Sequence, residues 1–196
     1  LEKFEFLRQQ KKKVSGDTYF SLADFVRKDD TVGAFCVTMG YEVQEFAAEF
    51  EKAHDDYSAI LVKALGDRLA EALAEKLHAD VRAMMGFGRT ENLSRHDLID
   101  EKYRGIRPAL GYPACPDHTE KRKLWKLLDV EKATGVSLTE SFAMNPPSSV
   151  SGLYFFDPGA RYFAVGDVGD DQLEAYSARK GMTPVEAERW IRPFGS

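Results

Sequence analysis

The segment of residues 104–117 constrains the fold most, because its two glycines and three prolines exclude a regular helix or strand. Proline also restricts the backbone, so this loop is expected to be stiff and to lose little entropy when a ligand binds. Gly111 would let a ligand approach the main chain, Arg107 could hold a carboxylate bidentately, and Tyr112 offers a flat ring. The residues alone leave two interpretations open: a structural loop and a small-molecule site.

Apolar periodicity on both sides of this loop predicts an α+β fold with helices packed around an antiparallel β-sheet. Helices are predicted at residues 1–13, in 42–85 (one short, one long), and at 94–99, 119–128, 170–180 and after Thr183. Strands are predicted at 31–40, 138–144, 150–156 and 162–168, and the short connections between the last three favour a meander. We expect residues 1–196 to form a single domain.

Composition argues against several classes of protein. The chain has 27 Lys and Arg residues and 32 Asp and Glu residues, which gives a net charge of −5. The only basic run, residues 11–13, is typical of a solvated helix face. No nucleic-acid partner is therefore expected. The apolar runs are far shorter than the roughly 20 residues that span a bilayer, so no membrane span is expected. The low cysteine count fits a cytoplasmic protein, and the start at Leu1 without a leader suggests a piece of a longer one.

No cluster of residues predicts a metal site or a catalytic nucleophile. Cys115 and His118 lie close together, but they are too few to hold a metal and lack a third partner. We interpret Cys115 as a packing residue of the loop and His118 as a helix cap or surface group.

The string RPALGYPACPDHTEK, which begins at Arg107, resembles the signature of the activation domain of cobalamin-dependent methionine synthase. Other strings resemble the same family in the same order, among them AFCVTMG, SLTESFAM, SSVSGLYFFDPGARYFAVG and RKGMTPVEAERW. The resemblance covers essentially the whole chain. The family's domain begins upstream of Leu1, so the chain would be the C-terminal majority of it, without an upstream acid that contacts the ligand.

The resemblance implies a site for S-adenosylmethionine that serves repair. The family's cobalamin, held by another domain or a partner chain, is occasionally oxidised to inactive cob(II)alamin. The activation domain supplies the methyl donor for reductive remethylation, and flavodoxin or a related reductase supplies the electron. The chain would thus be part of a methyltransferase that converts homocysteine to methionine, and inactive alone.

The same resemblance implies roles for particular residues. Arg107 matches the arginine that grips the donor's carboxylate, and Tyr112 also faces the corrin. The remaining positions that line the donor are Ala109, Gly111, Pro113, Ala114 and Cys115 in the loop, with Tyr162 and Phe163 in a second segment.

Three acids complete the site implied by the resemblance. Glu71 and Glu101 resemble residues near the donor's positive end, and Asp67 resembles one that meets the histidine released from the cobalamin. Asp67 and Glu71 are four residues apart, so they would share a helix face. Acids on an amphipathic helix are, however, most often simply solvated.

Two alternatives remain. The chain could be a non-catalytic docking module for the cobalamin domain or the reductase, an alternative to which the −5 charge is suited. An independent small-molecule methyltransferase is disfavoured, because the sequence has no glycine-rich strand-turn-helix motif of the Rossmann kind.

Overall fold

A computed structural model describes residues 1–10, 16 and 18–192 of the chain. In chain order the described elements are β1 (Gly33–Thr38), α1 (Glu42–Lys52), α2 (Asp56–Met84), α3 (Arg95–Ile99), α4 (Lys121–Leu128), α5 (Val130–Thr134), β2 (Ser137–Leu138), β3 (Met144–Asn145), β4 (Ser149–Tyr154), α6 (Asp170–Lys180) and α7 (Pro184–Ile191). Helices and strands that do not alternate regularly confirm the α+β class.

The chain divides into two compact units, each made of separate stretches. Unit 1 comprises Leu1–Gly33, Gly105–Leu127 and Leu153–Ser196, and unit 2 comprises Ala34–Arg104 and Leu128–Gly152. The single domain over residues 1–196 stays a prediction. Among the described residues, no helix combines the length and the apolarity that crossing a membrane would require.

Unit 2 is built on the predicted pair of one short and one long helix, α1 and α2. The carboxylate of Asp55 caps α2 by accepting a hydrogen bond from the Ser58 amide, at 3.1 Å. The buried face of α2 consists largely of small residues, and a Cβ on Gly66 would lie 2.6 Å from Val43 of α1. Small residues therefore let the two helix backbones approach closely.

The core of unit 1 joins α6 and α7 to the extended chain before them. One cluster of this core consists of the buried side chains of Leu7, Val165, Val168, Leu173, Tyr176, Ala187 and Ile191. Gly181 ends α6 with a φ of +66°, and Thr183 opens α7 with a capping box, as the sequence predicts.

The helix predicted for residues 1–13 is wrong over its described part, because residues 1–10 form no helix. The Gln9 amide donates to the carbonyl of Phe20 at 2.9 Å, and Glu5 and Leu7 are buried while the residue between them is less so. Burial at every second residue is typical of extended chain. Residues 11–13, with the basic run, lie outside the described residues.

The predicted meander is also corrected. Strand β4 pairs with β1, far away in sequence, and residues 138–144 are a hairpin in which β2 pairs antiparallel with β3. Residues 162–168 form no strand, because their described backbone bonds include no ladder to a neighbouring strand. A β-favouring pattern becomes a strand only where another strand supplies the hydrogen bonds.

Candidate functional site

The loop of residues 104–117 lies along the chain that continues β4. Ile106 and Phe155 exchange backbone hydrogen bonds of 2.9 and 3.0 Å, and the Leu153 amide donates to the carbonyl of Pro108 at 3.1 Å. This pairing makes side chains alternate: Ile106 and Pro108 are buried, whereas Arg107 and Ala109 are half-buried on the other side. The backbone thus directs Arg107 away from the core.

Tyr162 lies beside this part of the loop. Its hydroxyl accepts a hydrogen bond from the backbone amide of Arg107 at 3.0 Å, and the residue is 38% exposed. Although residues 162–168 are not a strand, Tyr162 still lies beside Arg107. Its neighbour Phe163 is half-buried and packs against the rings of Phe20 and Phe25.

The far part of the loop is a tight turn from Tyr112 to Cys115. The Cys115 amide donates to the carbonyl of Tyr112 at 2.8 Å, and the Gly111 amide donates to the carbonyl of Cys115 at 2.7 Å. Ala114 and Cys115 are buried, whereas Tyr112 and Pro113 are exposed. A ligand at this turn would therefore meet the ring of Tyr112, Pro113 and the backbone. Cys115 is 2% exposed and packs within the loop, and this burial raises the pKa of its thiol.

The space beside Gly111 is filled by a side chain and not reserved for a ligand. A Cβ on Gly111, whose φ is +93°, would lie 2.3 Å from Cε1 of His118. The cap of the following helical turn is Asp117, so His118 is neither a cap nor a fully exposed group. Burial and the ammonium of Lys121, 3.1 Å from Nδ1, lower the pKa of His118 and favour a neutral imidazole.

The three predicted acids belong to unit 2. Asp67 lies on α2 and accepts a hydrogen bond from the Ser148 hydroxyl at 2.8 Å, and Glu71 is exposed one turn later. Glu101 follows α3, is exposed and has a φ of +54°. Their roles toward a ligand stay predictions.

Sequence reasoning missed three buried residues next to the loop: Asp117 at its end, Glu120 in the next turn, and Lys180 at the end of α6. The acids looked like ordinary helix-start residues, and the only available signal was their position immediately after the proline-rich segment.

Neither metal ligands nor an activated thiol is found in the described parts of the chain. No group of three or more His, Cys, Asp and Glu residues could hold a metal ion there. Burial raises the pKa of Cys36 to about 11.

Comparison with known proteins agrees with the resemblance seen in the sequence. Residues 1–181 match the family model of the vitamin B12 dependent methionine synthase activation domain. A crystal structure of the MetH reactivation domain bound to AdoHcy shares 55% sequence identity with the chain, with a TM-score of 0.91. The match covers 96% of this chain and 59% of that one, so the chain spans less than two thirds of the solved structure. The chain thus belongs to the family of vitamin B12-dependent methionine synthase activation domains.

Proposed function

We propose that the chain binds S-adenosylmethionine at the 104–117 loop and Tyr162, and presents it for reductive remethylation of inactive cob(II)alamin. The observation that carries the proposal is the 55% identity to a reactivation domain solved with AdoHcy, the demethylated form of this ligand. Another domain or chain would hold the cobalamin, and flavodoxin or a related reductase would supply the electron. The whole protein would then be the methyltransferase that converts homocysteine to methionine.

The residues of the loop suit this ligand. S-adenosylmethionine carries a carboxylate, and Arg107, which is half-buried, has a guanidinium that can bind it with two parallel hydrogen bonds. The rings of Tyr112 and Tyr162 are partly exposed and can cover flat or apolar parts of the ligand. The ligand supplies an activated methyl group, whereas the chain's residues bind and orient it.

We assign the three acids of unit 2 to electrostatic roles. Glu71 and Glu101 would favour the positive sulfonium and ammonium groups, and Asp67 would meet the histidine released from the cobalamin. Asp67 keeps one carboxylate oxygen, Oδ1, bonded to Ser148, which orients the group on α2. Replacing Asp67 should therefore affect coupling to the cobalamin domain more than ligand affinity.

Calorimetric titration with S-adenosylmethionine tests the carboxylate assignment. Arg107→Ala should weaken binding about tenfold to a hundredfold, because a hydrogen bond to a charged group contributes roughly 1.5–3 kcal/mol. Arg107→Lys should also bind poorly, since an ammonium cannot reproduce the planar fork. Arg189→Ala, which removes an exposed arginine of α7, is the matched control. A dissociation constant within twofold of the parent for Arg107→Ala would contradict the assignment.

A pair of Tyr162 variants separates its ring from its hydroxyl. Tyr162→Phe removes the acceptor for the Arg107 amide, and Tyr162→Ala removes the ring as well. We expect Tyr162→Ala to weaken binding more, because most of an aromatic side chain's contribution is contact area. Equal losses would show that the hydroxyl, through Arg107, is the essential group.

A docking module is the second candidate, favoured by apolar side chains that α2 exposes, among them Ile60, Leu65 and Leu69. On that alternative the cobalamin-bearing domain would bind without S-adenosylmethionine, and the titration would show no saturable heat.

The methyl transfer itself is tested by an anaerobic spectrum: cob(II)alamin should disappear only when chain, ligand, cobalamin domain and reductant are all present.

A further inference from the structure

The ammonium of Lys180 is buried beneath the end of the 104–117 loop, in unit 1. Its side chain is 4% exposed, and it contacts Asp117 Oδ2 at 3.1 Å, the Thr119 hydroxyl at 2.8 Å and a carboxylate oxygen of Glu120. A lysine ammonium has three hydrogens to donate, so these three contacts account for all of them.

Both oxygens of Asp117 are used inside the protein. Oδ1 accepts from the Thr119 amide at 2.7 Å, and Oδ2 accepts from the Tyr176 hydroxyl at 2.6 Å in addition to contacting Lys180. Burial opposes ionisation of Asp117, but the Tyr176 hydrogen bond and the Lys180 charge outweigh it and lower the pKa. Asp117 is 1% exposed, so it is not placed to bind a ligand directly.

Glu120 extends the network to the start of the chain. Its carboxylate is fully buried, contacts Lys123 at 2.8 Å and accepts from the Glu5 amide at 3.1 Å. The network therefore joins three segments that are distant in sequence: residues 3–5, residues 117–123 and the end of α6. A buried ion pair often adds little net stability relative to apolar residues, but removing one partner leaves an uncompensated buried charge, so the three segments are held together as a unit.

The network fixes the C-terminal end of the loop through side chains, in addition to the backbone bond from Val165 to Pro113. Ile106 is held by Phe155, whereas Asp117 is held by Lys180 and Tyr176. We propose that Lys180 and Asp117 are positioning residues, which hold the Arg107-bearing loop in its ligand-binding conformation without touching the ligand. This inference rests on the proposed function. Its physical basis is preorganisation: a loop already ordered loses less entropy on binding.

Hydrogen exchange and calorimetry on the same variants test the inference. Lys180→Met keeps the apolar part of the side chain and removes the charge. Arg192→Met is the matched control, because it removes a cation of unit 1 that bonds the Val168 carbonyl and not Asp117. We expect Lys180→Met to speed exchange of the Gly111 and Cys115 amides about tenfold and to weaken AdoHcy binding about tenfold. Arg192→Met should leave both within about twofold.

Tyr176→Phe is the milder variant should Lys180→Met fail to fold, because it deletes only the hydroxyl that bonds Asp117. It should speed exchange at Gly111 and Cys115 about threefold while the core ring remains. Exchange no faster than in Arg192→Met, or AdoHcy affinity unchanged in a folded Lys180→Met, would overturn the inference. A parent chain that binds no AdoHcy would instead refute the proposed function, and the exchange measurement would then decide the anchoring by itself.

Discussion

Replacing Gly111 by alanine should destabilise the fold in two separate ways, one conformational and one steric. The first is conformational, since Gly111 has a φ of +93°, which L-residues rarely adopt. The second is steric, since the new Cβ would lie 2.3, 2.4 and 2.7 Å from three atoms of the His118 ring. That ring is half-buried and lies beside Lys121, so it has little room to move.

The two costs sum to a large loss of stability. A positive φ costs an L-residue roughly 1–2 kcal/mol, and forcing additional atoms into a packed region costs roughly 1–3 kcal/mol. We expect Gly111→Ala to lower the free energy of unfolding by about 2–5 kcal/mol. In a His118→Ala background the steric part disappears, and the same substitution should cost only about 1–2 kcal/mol.

Urea unfolding followed by circular dichroism measures both values, provided that the slope m stays constant. Gly181→Ala is the matched control, because Gly181 has a φ of +66° and a Cβ added there would meet no described atom within 4 Å. It should show the conformational cost alone, about 1–2 kcal/mol. If Gly111→Ala costs the same with and without His118, the imidazole is not the obstacle and the reasoning fails.

Two further variants test other parts of unit 1. Leu7→Ala should lower the free energy of unfolding by about 3 kcal/mol, measured with urea, because Leu7 is 2% exposed in the core. Leu1→Ala, at a fully exposed site, is the control and should change it almost not at all. Equal effects would mean that residues 1–10 do not pack as described. The pKa of Asp117 is lowered from its usual 3.8, so its ionised form stabilises the fold above that pH, and the contribution is lost as pH falls through the lower folded-state value. Asp117→Asn should therefore flatten the loss of unfolding free energy below about pH 4, and an unchanged pH profile would contradict the assigned ion pair.

Helices with local end signals were predictable from the sequence. A segment whose conformation depends on distant partners was not. Asp170–Lys180 ends at Gly181 and α7 begins at Thr183, because a glycine stop and a capping box act within a few residues. Residues 1–10 have apolar residues at helical spacing, yet they form no helix, and Glu5 is buried and pairs with Arg179 at 2.8 Å. That partner is in α6, so no local pattern reveals it.

The candidate site shows the same division. The loop and its contact with Tyr162 were predictable, since prolines and glycines define a loop locally and a family resemblance identifies a second segment. The occupant of the space beside Gly111 was not, because a glycine indicates a close approach without indicating what approaches. Lys180 was also hidden, since 60 residues separate it from Glu120 and a lysine near a helix C-terminus is ordinary.

The prolines of the loop help to explain how an irregular segment can be ordered. A buried loop must satisfy its backbone donors and acceptors, and proline has no amide to satisfy. The carbonyls of Pro108 and Pro113 each accept a hydrogen bond, from Leu153 at 3.1 Å and from Val165 at 2.8 Å. Donors of the loop also bond: the Ile106 amide donates to Phe155 and the Arg107 amide to the Tyr162 hydroxyl, so the folded chain around Arg107 is already ordered.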